Sequence, residues 1–240
     1  MTLNHLKYYL SGLLISITVS LKAQEILIGV GGGVGTFAMN STRTFNQTAV
    51  KFLPFTPVLI SNFPPYFFYK AEAIYCFPKW MAVGINVSTT STGSRLSLAD
   101  YSGKFRLDNI QNGLFPGIKL LFGKAPGKSN GFNLSVEGGV AFSKMTVTEE
   151  LTVFTESNST VNDFSAMGYF VQPGVCYFRT ITSKLKLSAN ISYYCGFEKG
   201  YHLPGNKDQR LLNIETRNPI KPMWDGIRLG ITAYWSLRNN

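Results

Sequence analysis

Six charged side chains define the chemistry open to this sequence: Lys70, Glu72, Lys119, Glu137, Lys186 and Arg228. Each lies at an every-second-residue position among small or polar neighbours. Opposite charges gathered away from water form ion pairs, because a buried charge left alone is strongly destabilising. Together with nearby amides they give an expected polar network of Lys70, Glu72, Asn86, Lys119, Glu137, Gln172, Asn190 and Arg228. Such a network either plugs an interior or relays ions and protons; an ion-paired structural plug is the expectation. His202, in KGYHLPGNK, is the one histidine beyond the first 23 residues. A lipid-modifying hydrolase would need a serine or carboxylate beside it, and its neighbours Leu203 and Pro204 supply neither. The glycine run GVGGGVG, residues 29–35, contains no G-x-G-x-x-G triplet, so it does not read as a dinucleotide loop. Cys76, Cys176 and Cys195 show neither CxxC spacing nor a histidine cluster and read as packing residues. No catalytic residue, cofactor site or metal site is expected.

The elements that must position these residues show a two-residue period. In LKLSANISYYCGF, residues 185–197, Leu185, Leu187, Ala189, Ile191, Tyr193, Cys195 and Phe197 share one face, and Lys186, Ser188, Asn190 and Ser192 share the other. That pattern is a strand with one apolar and one polar side. It recurs over residues 25–38, 66–77, 80–91, 113–123, 132–145, 167–178 and 223–237, which makes eight strands. Short turns at Pro78-Lys79, APGKSNG and RTITSK alternate with long polar connections over 39–65, 92–112, 146–166 and 198–222. Pairing the strands around Pro78-Lys79 sets Glu72 opposite Asn86, and Lys119 and Glu137 fall at one height on neighbouring strands. Pro116 and Pro173 each remove a ladder donor, so a bulge or a lost bond is expected at both.

Composition decides which face points where. Only 15% of residues are charged and 14% are aromatic. One face carries Val83, Ile85, Leu114, Ile118, Leu134, Val171, Leu229 and Ile231; the other carries mostly Gly, Ser, Asn and Ala. The second set would make a poor water-exposed surface, which ordinarily is about a quarter to a third charged. Turned inward, it fits the narrow interior of an eight-stranded barrel, and the apolar set then meets acyl chains. Tyr75, Phe77, Phe122, Phe132, Tyr177 and Trp235 lie at the short-turn ends; Phe67, Tyr69, Phe142, Tyr169 and Phe197 lie at the long-loop ends. Two aromatic bands suit two membrane interfaces.

Residues 1–23, with Lys7, an apolar core and small residues Ser20 and Ala23, read as a secretory signal peptide, leaving 24–240 as the barrel domain with a net charge of +8. The fold expected is all-β: an eight-stranded antiparallel up-and-down transmembrane β-barrel with four long extracellular loops and short periplasmic turns. Acidic residues Glu149, Glu150, Glu156 and Asp163 fall in one long connection, and basic Lys199, Lys207, Arg210, Arg217 and Lys221 in another. The basic one can meet lipopolysaccharide phosphates. An exported chain with no basic helical stripe is not expected to bind nucleic acid.

The Gly-rich ILIGVGGGVGTF, the PGIKLLFG to NLSVEGGVAF hairpin and the terminal RLGITAYWSL resemble the small OmpA/OmpX-type outer-membrane barrels, particularly the PorT-like barrels of Bacteroidota. Arg228, Gly230 and Trp235 resemble the insertion signal read by the barrel assembly machinery, although the chain runs on past Leu237 and Ala233 stands where an aromatic is common. The resemblance implies fold and an outer-membrane location in a Gram-negative bacterium, not an activity. The expected role is therefore a non-enzymatic, monomeric barrel without an open pore. Its long loops would contact membrane lipids, lipopolysaccharide or a protein partner. The alternatives are a lipid-modifying barrel enzyme and a soluble lipocalin-like barrel that binds an apolar ligand, with Leu187 and Leu229 inside.

Overall fold

The computed structural model describes residues 25–53, 55, 57–77, 80–99, 101, 103–123, 130–154 and 156–237. The signal peptide, the Pro78-Lys79 turn, most of APGKSNG and the last three residues lie outside the described residues. The described chain forms β1 (Glu25–Gly35), α1 (Asn40–Phe52), β2 (Val58–Asn62), β3 (Tyr66–Cys76), β4 (Met81–Ala99) and β5 (Gly103–Gly123). It continues with β6 (Gly131–Val153), β7 (Glu156–Thr180), β8 (Leu185–Glu198), β9 (His202–Leu203), β10 (Asn206–Arg210) and β11 (Gly226–Ser236). None of the described helices is long and apolar enough to cross a membrane, which says nothing of strands.

Antiparallel pairing joins β3 through β8 in sequence order. β11 then pairs with β8, and β1 pairs with both β11 and β3. The sheet therefore closes into a ring of eight strands; six start within three residues of their positions in the alternation pattern, while β5 and β7 start at Gly103 and Glu156, well before the expected 113 and 167. Glu72 pairs with Asn86, and Lys119 with Glu137, as the pattern requires. The prolines cost ladder partners, not register. Pairing lapses at Phe115-Pro116 against β6 and at Gln172-Pro173 against β8, then resumes unshifted.

The long connections differ from the loops expected. β4–β5 and β6–β7 run on as ribbons, paired out to Ala99 with Lys104 and Val153 with Glu156. Their Thr, Ser and Val residues favour extended backbone whether or not the faces are apolar. The 39–65 connection holds α1 and β2, and 198–222 holds β9 and β10. α1 lies on the inner side of the ribbons through polar contacts. Asn46 Nδ2 donates to Ser94 Oγ at 2.7 Å, and Gln111 Nε2 donates to Thr42 Oγ1 at 2.9 Å. Tyr201 OH donates to Gln111 Oε1 at 2.9 Å. Beneath this cap, Met145, Ala166, Tyr201 and Ile220 form a small apolar core.

The two faces of the ring are unlike. Large apolar side chains point outward all round it: Ile85 is 68% exposed, Ile118 57%, Leu134 62% and Ile231 63%. Both aromatic sets lie on this outer side, with Phe132 and Trp235 at one end and Phe67, Tyr69 and Tyr169 at the other. Leu187 and Leu229 also face outward, which removes the arrangement that an interior apolar-ligand site would need.

Candidate functional site

The interior of the ring is filled in layers. In the middle layer Lys70, Glu72, Lys119 and Glu137 arrive from β3, β5 and β6, each buried. Lys70 Nζ lies 2.6 Å from Glu137 and 3.2 Å from Glu72. Lys119 Nζ lies 3.1 Å from Glu72 and 3.4 Å from Glu137. Each lysine thus touches both glutamates, so two positive and two negative charges cancel. Asn86 Nδ2 donates to Glu137 Oε2 at 2.8 Å, and the Tyr234 hydroxyl donates to Glu72 Oε1. Full pairing is what makes buried charges tolerable. Lys186 pairs with Glu25 nearer the short-turn end.

The remaining members of the expected network do not join this cluster. Gln172 Nε2 donates to Ser192 Oγ at 2.9 Å. Asn190 is half-buried, opposite Gly230. Arg228 differs from the ion pairing expected of it. Its guanidinium lies over the rings of Tyr194, Phe115 and Phe68, at 4.2, 4.9 and 5.8 Å from their centroids. Its Nε and Nη2 make no hydrogen bond. Attraction to aromatic faces supports this cation where no carboxylate bonds it, an interaction of about 2 kcal/mol when desolvated. Phe37, Phe170 and Trp224 complete the aromatic layer, and Trp224 Nε1 donates to Ser143 Oγ at 2.8 Å. Charged layer, aromatic layer and α1 cap follow one another along the interior.

The glycine run gains a reason here. Tyr234, Gly29 and Glu72 occupy one row across three neighbouring strands. A Cβ on Gly29 would lie 2.6 Å from the Tyr234 ring, so the bare backbone lets Tyr234 reach over β1 to Glu72.

Beyond the ring, the β4–β5 ribbon carries a charged knot. Arg95 Nε and Nη2 donate to Asp108 at 2.6 and 2.9 Å, and Arg106 Nε donates to Asp108 Oδ2 at 2.8 Å. Burial pushes the Asp108 carboxyl up, but the hydrogen bonds from Arg95 and Arg106 outweigh it and hold it below its ordinary 3.8. A depressed carboxyl stabilises the ribbon above its unfolded pKa, and that stability is lost as pH falls through the folded value. Carboxyl-carbon NMR titration of the folded chain is expected to give an Asp108 midpoint below 3.8. Arg95→Gln should move it upward; an unchanged midpoint would mean that the bidentate pair does not form in solution.

His202 meets a serine that sequence spacing did not reveal. β9 pairs with β7 so that Ser165 faces His202, with Ser165 Oγ 3.5 Å from His202 Nε2. Among the described residues no carboxylate hydrogen-bonds this histidine, so the group that would orient a catalytic base is missing. Ser165 lies in the 146–166 connection, and only strand pairing brings it to His202. No group of three metal-ligating side chains occurs among the described residues, and no disulfide joins Cys76, Cys176 or Cys195.

No known family profile matches the chain, and no curated protein matches it. Among solved structures it is similar to Ail, the attachment invasion locus protein of Yersinia pestis. That match has 11% identity and a TM-score of 0.35, covering 88% of this chain and 94% of that one. The same protein in complex with the heparin analogue sucrose octasulfate matches at 12% identity and a TM-score of 0.32, over the same shares.

Proposed function

We propose that this protein is an integral β-barrel of a Gram-negative outer membrane, exported by its residues 1–23 and acting non-enzymatically as a structural or surface-interaction protein. The carrying observation is the outward belt of large apolar side chains around a closed ring whose interior holds a paired charge cluster between apolar and aromatic layers. Water does not tolerate so extensive an apolar belt on a monomer; a hydrocarbon layer does. On β5 the belt spans Gly113–Gly123. Ten residue steps of ~3.4 Å, tilted by ~40°, rise about 25 Å, the height of the apolar band on membrane barrels. The layered interior supports the absence of a pore. On this reading the ribbons and the α1 cap stand outside the cell, where they contact lipopolysaccharide or a protein partner. The barrel assembly machinery inserts the chain, which this reading places among the PorT-like barrels. The enzymatic alternative finds its serine beside His202, but among the described residues no carboxylate hydrogen-bonds that histidine.

The test is fractionation with heat-modifiable gel migration, paired with Ile231→Lys. In lipid vesicles that substitution is expected to cost about 2–4 kcal/mol, the penalty for a lysine at the mid-plane of the lipid face. A native chain that is soluble without detergent and indifferent to Ile231→Lys would overturn the membrane reading. Planar-bilayer recording is expected to show no steady conductance.

A further inference from the structure

Strand register draws a line across the outer surface. Ser91, Asn112, Lys144, Ser165 and His202 are successive cross-strand partners over β4, β5, β6, β7 and β9. One step toward the short-turn end, the outward residues are Thr89, Leu114, Phe142 and Met167. Polarity therefore changes from hydrogen-bonding to apolar over two residues on β5, β6 and β7. A groove of about 370 Å³ straddles this line, with Leu114 and Phe142 below, Asn112, Lys144 and Ser165 above, and Pro204 at its edge.

We propose that this groove is a lipid site, and that its occupant is a phosphate-bearing acylated lipid of the outer leaflet. The inference rests on the membrane reading given above. The lower wall is continuous with the apolar belt, so an acyl chain enters it from the bilayer without crossing water. The surface within the groove is mostly apolar, and its upper rim carries Asn112, Lys144 and Ser165. Lys144 pairs with Asp163 at 2.8 Å, yet its side chain remains 56% exposed. An ammonium has three donors, so one carboxylate does not exhaust it. The groove binds one end of the lipid by apolar contact and the other by a charge-assisted hydrogen bond. This bipartite pattern favours a lipid over a protein segment, which would not need to meet the belt.

The experiment places the full chain in nanodiscs of zwitterionic phosphatidylcholine and titrates in bisphosphorylated lipid A while amide NMR shifts are followed. Saturable shifts confined to Asn112, Lys144, Ser165 and their cross-strand neighbours are expected. Lys144→Gln should weaken the apparent affinity about tenfold, the scale of one charge-assisted hydrogen bond. Inorganic phosphate at equal concentration should shift nothing. Shifts spread evenly over the belt, equal shifts with phosphate alone, or indifference to Lys144→Gln would each overturn the site. A chain that enters nanodiscs but shows no local shifts fails this inference alone; a chain that does not enter them fails the membrane reading.

Discussion

Lys119→Met is expected to destabilise the folded chain by about 3–5 kcal/mol, the scale for breaking a buried charge pair by removing one partner. Lys119 is 3% exposed and touches both Glu72 and Glu137. Without it, two carboxylates face Lys70 alone, and the cluster of four loses its charge balance. The measurement is reversible unfolding in lipid vesicles, read as loss of heat-modifiable migration. Lys119→Met with Glu72→Gln restores the balance between Lys70 and Glu137 and should recover much of the loss. That non-additivity marks a shared network. If the single substitution costs less than about 1 kcal/mol, or the second does not rescue it, the four charges are solvated and the plug is not closed.

The ring was readable in the sequence because its two faces differ so sharply. Leu185 to Phe197 and Ile227 to Trp235 alternate cleanly, so strand positions and facing followed from period alone. Register followed where a turn fixed it: Glu72 faced Asn86 because Pro78-Lys79 set the count. Past the belt the signal failed for a physical reason. In the ribbons both faces carry polar residues, so Thr89 to Ala99 and Thr146 to Val153 lose the contrast that reveals a strand, although the backbone stays extended. α1 was hidden in the same way. Its buried positions include Thr42, Asn46 and Thr48, which hydrogen-bond to Gln111, Ser94 and Asn213 on other elements and leave no apolar period. Arg228 shows a third limit. A charge on an inner face reads as half of an ion pair, and nothing in local spacing announces that Phe68, Phe115 and Tyr194 converge on it from three other strands. Ser165 and His202 likewise meet only through a two-residue strand.

Gly33→Ala is expected to prevent closure of the ring. Gly33 lies on the inner face of β1, paired with Gly230 on one side and Phe68 on the other. A Cβ there would stand 1.9 Å from the carbonyl oxygen of Leu229 and 2.6 Å from the Gly230 Cα. Both are backbone atoms, so no rotamer change relieves the contact. β1 and β11 would have to separate, and theirs is the seam that joins the two ends of the strand sequence. Overpacking a core ordinarily costs about 1–3 kcal/mol where side chains can shift. Here the opposing atoms belong to the ladder itself, and parting them exposes strand edges that hydrocarbon cannot satisfy. Gly138→Ala is the matched control. It adds the same methyl on β6, where the nearest atom is 3.5 Å away, and should fold as the parent does. The readout is the fraction of chain that refolds into vesicles and resists SDS at room temperature. Gly33→Ala should yield almost none and Gly138→Ala a parental yield. Equal yields from both would mean that β1 and β11 do not approach as closely as their pairing requires.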